Sequence, residues 1–262
     1  MLTAFALVMA AASVARGGPR VFSLDQCADE YVLALSQRSD IVGLSTRARN
    51  HDSYLRDAAA GIPLRRATTE SALAARPDVV VRQWGGDARL AQALQRRRIQ
   101  VVQIDDAADF AGVRANVRKV ASALGQARAG EALIQRMDGE LAESAGAWKG
   151  RAALYVTPGA ETAGPGTLID AMLTAAGFTN FARTPGFTSV SLERLIADPP
   201  PAMVLGFFQD LAAGTQHWTI AGNGRFRALA KQRAVALLPG RVLDCPAWFA
   251  ADGAAALAAA RR

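Results

Sequence analysis

The chain has 262 residues, of which 51% are hydrophobic and 20% are charged, so it is long enough for two globular domains and too apolar to be disordered. Its net charge is +7, but the arginines are scattered apart from the run Arg96-Arg97-Arg98, and no basic stripe carries interleaved aromatic residues. Binding to nucleic acid is therefore not expected.

Residues 1–15 are uncharged and almost wholly apolar, and they end on the small residues Ser13-Val14-Ala15. This run is too short to span a bilayer comfortably, and the polar residues 16–19 follow it. It therefore predicts a cleaved secretory signal peptide, although the usual basic residue near its start is missing. No cysteine follows the run, so we expect an exported, periplasmic product without a lipid anchor. A buried N-terminal helix is the alternative interpretation.

Residues 16–108 alternate between short apolar strands and helical segments, which predicts a mostly parallel sheet covered by helices. The predicted strands are residues 20–24, 41–44, 78–81 and 101–104, and the predicted helices are residues 29–35, residues 88–97 and a segment that begins at Thr68 and ends at Pro77. A polar segment, residues 45–66, follows the second strand.

Residues 109–148 show helical periodicity, with apolar side chains three and four positions apart. Gly125 interrupts the pattern and predicts a bend or a break between two helices. The second helix, roughly residues 127–147, would be about 30 Å long at 1.5 Å per residue. Because the chain before and after it is similar in layout, we interpret it as a strut between two lobes. A long amphipathic helix on a single domain is the alternative.

Residues 149–262 repeat the plan of the first half. The predicted elements are a strand at residues 152–156, a helix at residues 168–176, a helix that begins at Ser191 and a buried strand at residues 202–206. In both halves a helix with an acid in its first turn, Glu70 or Glu193, precedes a buried strand. The predicted fold class is α/β, with two similar lobes that each hold a mostly parallel sheet flanked by helices.

The order and spacing of five segments resemble the substrate-binding proteins of ABC importers for iron–siderophores, haem and cobalamin. These segments are residues 20–35, 70–81, 109–125, 162–170 and 189–196. The resemblance implies that one long α-helix joins the two α/β lobes and that the ligand is held in the cleft between them. It also implies a monomer that delivers a metal chelate to an ABC permease in the inner membrane, without covalent chemistry.

Ligands of open α/β sheets bind outside the carboxyl ends of the strands, and this rule selects the residues that we expect to line the cleft. They are Gln26, Arg47, Arg49, Tyr54, Arg82, Trp84, Phe207 and Phe208. Trp84 directly follows a predicted strand and would stack on a flat ligand. The alternative is that it caps the core of its own lobe.

The three arginines of this set would bind anionic groups, because a guanidinium forms paired hydrogen bonds with a carboxylate. Each of them could instead be an ordinary surface residue. Phe207 and Phe208 would form an apolar wall, with one of the two facing the core. His217 and Trp218 fall in loops of the second half, and the sequence does not place them.

Glu70 and Glu193 occupy matching points of the two halves. The resemblance implies that these two acids dock onto arginines of the permease. The alternative is that each acid only stabilises the N-terminus of its own helix, typically by about 0.3–1 kcal/mol. The symmetry of the pair favours docking, because capping alone does not require it.

The chain contains two cysteines, Cys27 and Cys245. In an exported protein this number favours a disulfide, which would join one lobe to the other. Two unpaired buried thiols are the alternative.

Motifs of catalysis and metal binding are missing from the sequence. The two histidines and two cysteines match no zinc spacing, and neither Gly-x-Ser-x-Gly nor Gly-x-Gly-x-x-Gly follows a strand. We therefore expect no catalytic residue, no metal site and no cofactor. The predicted function is capture of an iron–siderophore-type chelate. Cobalamin or haem is the alternative within the same family, and a secreted α/β enzyme or an interaction module is the alternative from another class.

Overall fold

The computed structural model describes residues 17–211 and 219–261. The predicted signal peptide, His217 and Trp218 lie outside these residues. Among the helices of the described ranges, none is long and apolar enough to cross a membrane.

Strands and helices alternate along the described chain. The strands are Val21–Ser23 (β1), Ile41–Ser45 (β2), Leu64–Arg65 (β3), Val79–Arg82 (β4), Gln100–Gln103 (β5), Ala152–Val156 (β6), Glu161–Ala163 (β7), Thr179–Asn180 (β8), Phe187–Ser189 (β9), Met203–Gly206 (β10) and Ala234–Leu238 (β11). The helices are Gln26–Leu35 (α1), Thr69–Ala75 (α2), Ala88–Arg96 (α3), Phe110–Ala123 (α4), Ala127–Ser144 (α5), Leu168–Ala175 (α6), Leu192–Ala197 (α7), Gly224–Arg233 (α8) and Ala250–Ala259 (α9).

Two parallel sheets define two lobes. The N-terminal lobe holds the sheet β3-β2-β1-β4-β5 with helices α1 to α3, and the C-terminal lobe holds the sheet β11-β10-β6-β8 with helices α6 to α9. The order β2-β1-β4-β5 in the first sheet corresponds to β8-β6-β10-β11 in the second. A small antiparallel pair, β7 and β9, is added to the C-terminal lobe. The predicted α/β class with two similar lobes is confirmed.

The connection between the lobes is a pair of helices, α4 and α5, which we call the helical hairpin. Gly125 has φ 67°, and the N–H of Gln126 donates to the carbonyl of Ala121 at 2.7 Å, so α4 ends in a left-handed cap. The ion pairs Arg114–Asp138 and Arg118–Glu131 show that the two helices run antiparallel. Gly125 thus separates two helices, as the sequence predicted, and α5 is the long helix that leads into the C-terminal lobe. At 1.5 Å per residue, α5 is about 27 Å long.

A single buried cluster extends through both lobes and the helical hairpin. It includes Val79 of the first sheet, Val117 of α4, Ala153 of the second sheet and Leu257 of α9. Alternate strand residues face the opposite side, where Phe22 packs under α2 and α3 in a cluster that belongs to the N-terminal lobe alone. Both faces of the first sheet are thus covered, which is typical of a parallel sheet.

The C-terminal segment returns to the N-terminal lobe before α9 begins. Cys245 forms a disulfide with Cys27 in the first turn of α1, with an S–S distance of 2.05 Å. The hydroxyl of Tyr31 donates to the carbonyl of Pro246 at 2.6 Å, and its ring meets Trp248 edge to face. The lobes are therefore joined at a second place besides the helical hairpin.

Candidate functional site

The first turn of α1 holds the loop that follows β4. Asp25 caps the helix, because its Oδ1 atom accepts from the N–H of Ala28 at 2.9 Å. Its Oδ2 atom accepts from the N–H groups of Gln83 and Gly85 at 2.7 and 2.8 Å. This cap also explains why α1 begins at Gln26, three residues before the predicted start. The backbone N–H groups of the residues before and after Trp84 are thus bound to one carboxylate.

Trp84 lies in a pocket at the carboxyl end of the first sheet. The side chain is 53% exposed, so it does not cap the core of its lobe. Gly85 is required next to it, since a Cβ atom there would lie 2.4 Å from the carbonyl oxygen of Leu24. The pocket has a volume of about 330 Å³ and is also lined by Arg47 and Arg65.

Arg47 is the cation next to Trp84. Its guanidinium carbon lies 5.6 Å from the centroid of the indole, which is a cation–π distance. Its Nε atom donates to Oε1 of Gln26 at 3.2 Å, and its backbone N–H donates to Oγ of Ser45 at 3.1 Å. Three of the predicted cleft residues, Gln26, Arg47 and Trp84, are therefore brought together.

Ser45, whose hydroxyl accepts from the backbone N–H of Arg47, is itself hydrogen-bonded to a buried carboxylate of α1. Asp29 accepts from the Ser45 hydroxyl at 2.6 Å and from its N–H at 2.8 Å. Burial raises the pKa of Asp29 to about 7, against the hydrogen bonds from Ser23 and Ser45 that lower it. Asp25 and Asp29, at the start of α1, thus fix the two loops that form the pocket, which are the loop after β4 and the loop after β2.

Arg49 and Arg82 lie apart from the pair of Arg47 and Trp84. The Nε and Nη2 atoms of Arg49 both donate to the carbonyl of Ala59, at 3.3 and 3.1 Å. Arg82 donates from Nη2 to the carbonyl of Gly86 at 3.1 Å, and its buried Nε has no hydrogen-bond partner. Both guanidinium groups brace loops of their own lobe.

Phe207 and Phe208 follow β10 in the C-terminal lobe. Phe208 stacks on the buried Phe226 with ring centroids 5.7 Å apart, so this side chain belongs to the interior of the C-terminal lobe. Phe207 is half-buried, with φ 64°, and lies next to Gly240. The expectation that one of the two phenylalanines faces the core agrees with this placement.

Acids of the C-terminal lobe face the loop that carries Arg47. His51 Nε2 lies 3.9 Å from Oδ1 of Asp210. Desolvation, followed by the charges of Asp52 and Asp210, raises the pKa of Asp244 to about 7, whereas Arg47 lowers it. The pocket around Trp84 therefore borders the contact between the lobes.

Neither Arg65 nor the acids Asp210 and Asp244, which face the loop that carries Arg47, were predicted from the sequence to belong to the site. Arg65 sits on the two-residue strand β3, which is too short to show periodicity, and its Nε donates to the carbonyl of Val42 at 3.0 Å. Asp210 follows a buried strand, as Trp84 does, and this position could have marked it. Among the described residues, no group of three or more His, Cys, Asp or Glu side chains is arranged to hold a metal ion.

Glu70 and Glu193 are exposed and each is the second residue of its helix, α2 or α7. Both helices lead into the corresponding strand of their sheet, β4 or β10. The backbone N–H of Glu193 and the hydroxyl of Ser191, which donates at 2.8 Å, lower the pKa of the Glu193 carboxyl. The two acids are therefore equivalent in the topology.

A profile of the periplasmic binding protein family matches residues 21–219, which is more than half of the chain. The chain belongs to this family. The family comprises solute-binding proteins, and the predicted resemblance is confirmed. A comparison with curated proteins gave no significant match.

Solved structures that resemble this periplasmic binding protein share its fold over nearly the whole chain. A possible iron-binding (periplasmic solute-binding) protein from Staphylococcus epidermidis is 20% identical, with a TM-score of 0.73 over 94% of this chain and 99% of that one. A periplasmic haem-binding protein from Pseudomonas aeruginosa is 25% identical, with a TM-score of 0.68 over 92% of each chain. The periplasmic vitamin B12 binding protein of Vibrio cholerae is 14% identical, with a TM-score of 0.63 over 93% and 96%.

Proposed function

We propose that this periplasmic binding protein is the solute-binding component of an ABC importer and captures an anionic metal chelate of the iron–siderophore type in the cleft between its lobes. The observation that carries the proposal is the pair of Arg47 and Trp84, half exposed in a pocket at the carboxyl end of the first sheet. This is the edge of an open α/β sheet at which ligands bind.

The chemistry of the pocket favours an anionic ligand with flat groups. Arg47 and Arg65 present two positive charges, and a guanidinium binds carboxylate or similar oxygens with paired hydrogen bonds. The indole of Trp84 offers a flat apolar surface to a ring of the ligand. A ferric siderophore combines negative charge with such groups.

Haem bound through a tyrosine is disfavoured. The hydroxyl groups of Tyr31 and Tyr54 already donate to Pro246 and Asp252, and Tyr155 is only 2% exposed. Burial raises the pKa of all three phenols, which opposes a tyrosinate ligand for iron. These are all the tyrosines of the chain. Haem and vitamin B12, the ligands of two similar structures, are therefore alternative outcomes of the test.

Delivery completes the proposed function. The protein is exported after cleavage of a signal peptide and acts in the periplasm as a monomer. Glu70 and Glu193, exposed at equivalent helix starts, dock onto arginines of the permease, which draws the lobes apart and receives the chelate. No covalent chemistry and no resident cofactor take part.

The test is a titration of the purified mature protein by isothermal calorimetry and tryptophan fluorescence, corrected for light absorbed by the ligands. The panel holds a ferric tris-catecholate, a ferric trihydroxamate, haemin and cyanocobalamin. We expect saturable binding of a ferric siderophore complex. Binding of haemin or cyanocobalamin alone would overturn the siderophore assignment, and no binding of any member would contradict the proposal.

Substitutions in the pocket test whether the ligand binds at Trp84 and Arg47. Trp84→Ala and Arg47→Ala should each weaken binding about tenfold or more, because each removes a contact worth at least about 1.4 kcal/mol. Arg47→Lys keeps the charge and should still weaken binding, since lysine lacks the planar donor pair. The matched control is Arg128→Ala, which removes an exposed arginine from α5. If this control weakens binding equally, net charge is responsible and the pocket is not.

A further inference from the structure

Asp25 makes more hydrogen bonds than a helix cap needs. Its side chain is 0% exposed, one oxygen caps α1 through Ala28, and the other accepts from Gln83 and Gly85. Capping alone uses one acceptor, which serine or asparagine also supplies. The second oxygen, with two N–H donors at 2.7 and 2.8 Å, serves the loop after β4 instead.

Other aspartate caps of this chain show the difference. Asp87 caps α3 through the N–H of Leu90, and Asp109 caps α4 through the N–H of Gly112, each at 2.8 Å. Both residues are exposed. Asp25 alone among these three aspartates is fully buried and joins its helix to a distant segment.

The loop between the two anchored peptide groups carries Trp84. Gly85 lies against the end of β1, where a Cβ atom would come within 2.4 Å of the carbonyl oxygen of Leu24. The backbone on both sides of Trp84 is thus fixed, whereas the indole itself is 53% exposed. The direction in which this side chain points is therefore set mainly through its backbone.

We infer that Asp25 is a positioning residue of the binding pocket, which does not contact the chelate but fixes the loop that presents the indole of Trp84 to it. A side chain that is held in its binding orientation before the ligand arrives loses less conformational freedom on binding. The effect on affinity rests on the proposed function, whereas the effect on Trp84 itself exists in the free protein.

Asp25→Asn separates the two roles. The asparagine oxygen still accepts from Ala28, and its NH₂ group, which cannot accept, faces the N–H donors of Gln83 and Gly85. Asp25→Ser is the second variant, because its hydroxyl keeps the cap and leaves the second oxygen position empty. Asp109→Asn is the matched control, since it makes the same exchange at a cap without a loop partner. Urea unfolding identifies which variants are folded.

The first readout needs no ligand. The protein is labelled with 5-fluorotryptophan, and the fluorine resonance of Trp84 is assigned by its loss in Trp84→Phe. We expect this resonance to shift and broaden in Asp25→Asn or Asp25→Ser and to stay as in wild type in Asp109→Asn. An unchanged Trp84 resonance in a folded Asp25 variant would overturn the inference.

The second readout is a double-mutant cycle on the affinity for the ferric tris-catecholate and the ferric trihydroxamate complexes. Asp25→Asn should weaken binding about tenfold in the presence of Trp84 and by less than about twofold in the Trp84→Ala background. An equal loss in both backgrounds would show that Asp25 acts on the whole pocket and would overturn the inference. If neither complex binds the wild type, the proposed function fails, and the fluorine spectra still decide the role of Asp25.

Discussion

The hydroxyl of Tyr54 donates to Oδ2 of Asp252 at 2.5 Å, and the Tyr54 ring stacks on Phe249 with centroids 4.3 Å apart. Tyr54 belongs to the loop after β2, whereas Asp252 lies in α9. Glu140 of α5 lies near Asp252, whose carboxyl group is one cause of the raised pKa of Glu140. The loop after β2 of the N-terminal lobe, α5 of the helical hairpin and α9 therefore meet around one carboxylate, that of Asp252.

This contact should make stability depend on pH. Desolvation and the neighbouring Asp252 raise the pKa of Glu140 from 4.5 to about 7, while Arg136 opposes the shift. The folded state therefore holds a proton that the unfolded chain has already lost, and the contribution of Glu140 to stability falls as pH rises from about 4.5 to about 7. Glu140→Gln mimics the protonated form and should lack this fall. Relative to this variant, wild type should lose stability in urea unfolding measured between pH 5 and pH 8.

The control for this comparison is Asp57→Asn, whose parent side chain is 96% exposed. This exchange removes one negative charge without touching the contact, so its unfolding curve should follow that of wild type at every pH. If Glu140→Gln and wild type keep a constant difference in unfolding free energy across the range, Glu140 does not titrate as described.

The disulfide should be a main support of the fold. It links residues that are 218 positions apart, and a cross-link of this kind contributes about 2–5 kcal/mol to the free energy of unfolding. Cys27→Ser with Cys245→Ser, or wild type in reductant, should unfold at clearly lower urea concentration than oxidised wild type. Adding reductant to the double variant is the control and should change nothing. Equal midpoints for oxidised and reduced wild type would contradict the prediction.

Two glycines of α5 should respond in opposite directions to the same change. A Cβ atom at Gly130 would lie 2.5 Å from the Cβ of Ala121 in α4, so Gly130→Ala should overpack the helical hairpin and cost about 1–3 kcal/mol. Gly139 has no atom within 4 Å of such a position, and Gly139→Ala should stabilise the helix by about 0.5–1 kcal/mol. Thermal unfolding of both variants checks the pair. A rise of both melting temperatures would show that helix propensity outweighs packing at Gly130, and a fall of both would contradict the predicted gain at Gly139.

If Glu70 and Glu193 dock onto the permease, changing them should reduce uptake of the chelate without changing its affinity for the protein. Charge reversal at Glu70 together with Glu193 should abolish uptake of the chelate by whole cells and leave its affinity for the purified protein within about twofold. Glu143→Arg, a charge reversal at one exposed position of α5, should leave uptake intact. Loss of affinity in the double variant would remove the docking role.

Local patterns of the sequence predicted those elements whose signals lie within a few residues. The buried strands β1, β4, β6 and β10 are continuous apolar runs, and Gly125 marked the end of α4. The short strands β3, β8 and β9 carry no such run, because each is only two or three residues long. The strand β11 is an apolar run, Ala234–Leu238, that was not predicted. Partners in the sheet, and not local preference, determine these three short strands.

The candidate site was predictable only in part. Trp84 could be found because it directly follows a buried strand, and every such strand ends at the same edge of its sheet. The same rule named Arg49 and Tyr54, whose polar atoms bind Ala59 and Asp252 instead. No pattern marks which carbonyl or carboxylate a long side chain will reach, because that partner is distant in the chain.

The sequence by itself determined the alternation of strands and helices, the repeat of two halves, the family and the equivalence of Glu70 and Glu193, since each depends on order and spacing along the chain. Only the tertiary structure decided that α4 and α5 form an antiparallel hairpin, that Asp25 anchors the Trp84 loop 58 and 60 residues away, and that Tyr54 meets α9. The physical reason is that hydrogen bonds and side-chain packing depend on distance in space, which the folded chain sets and the sequence does not state.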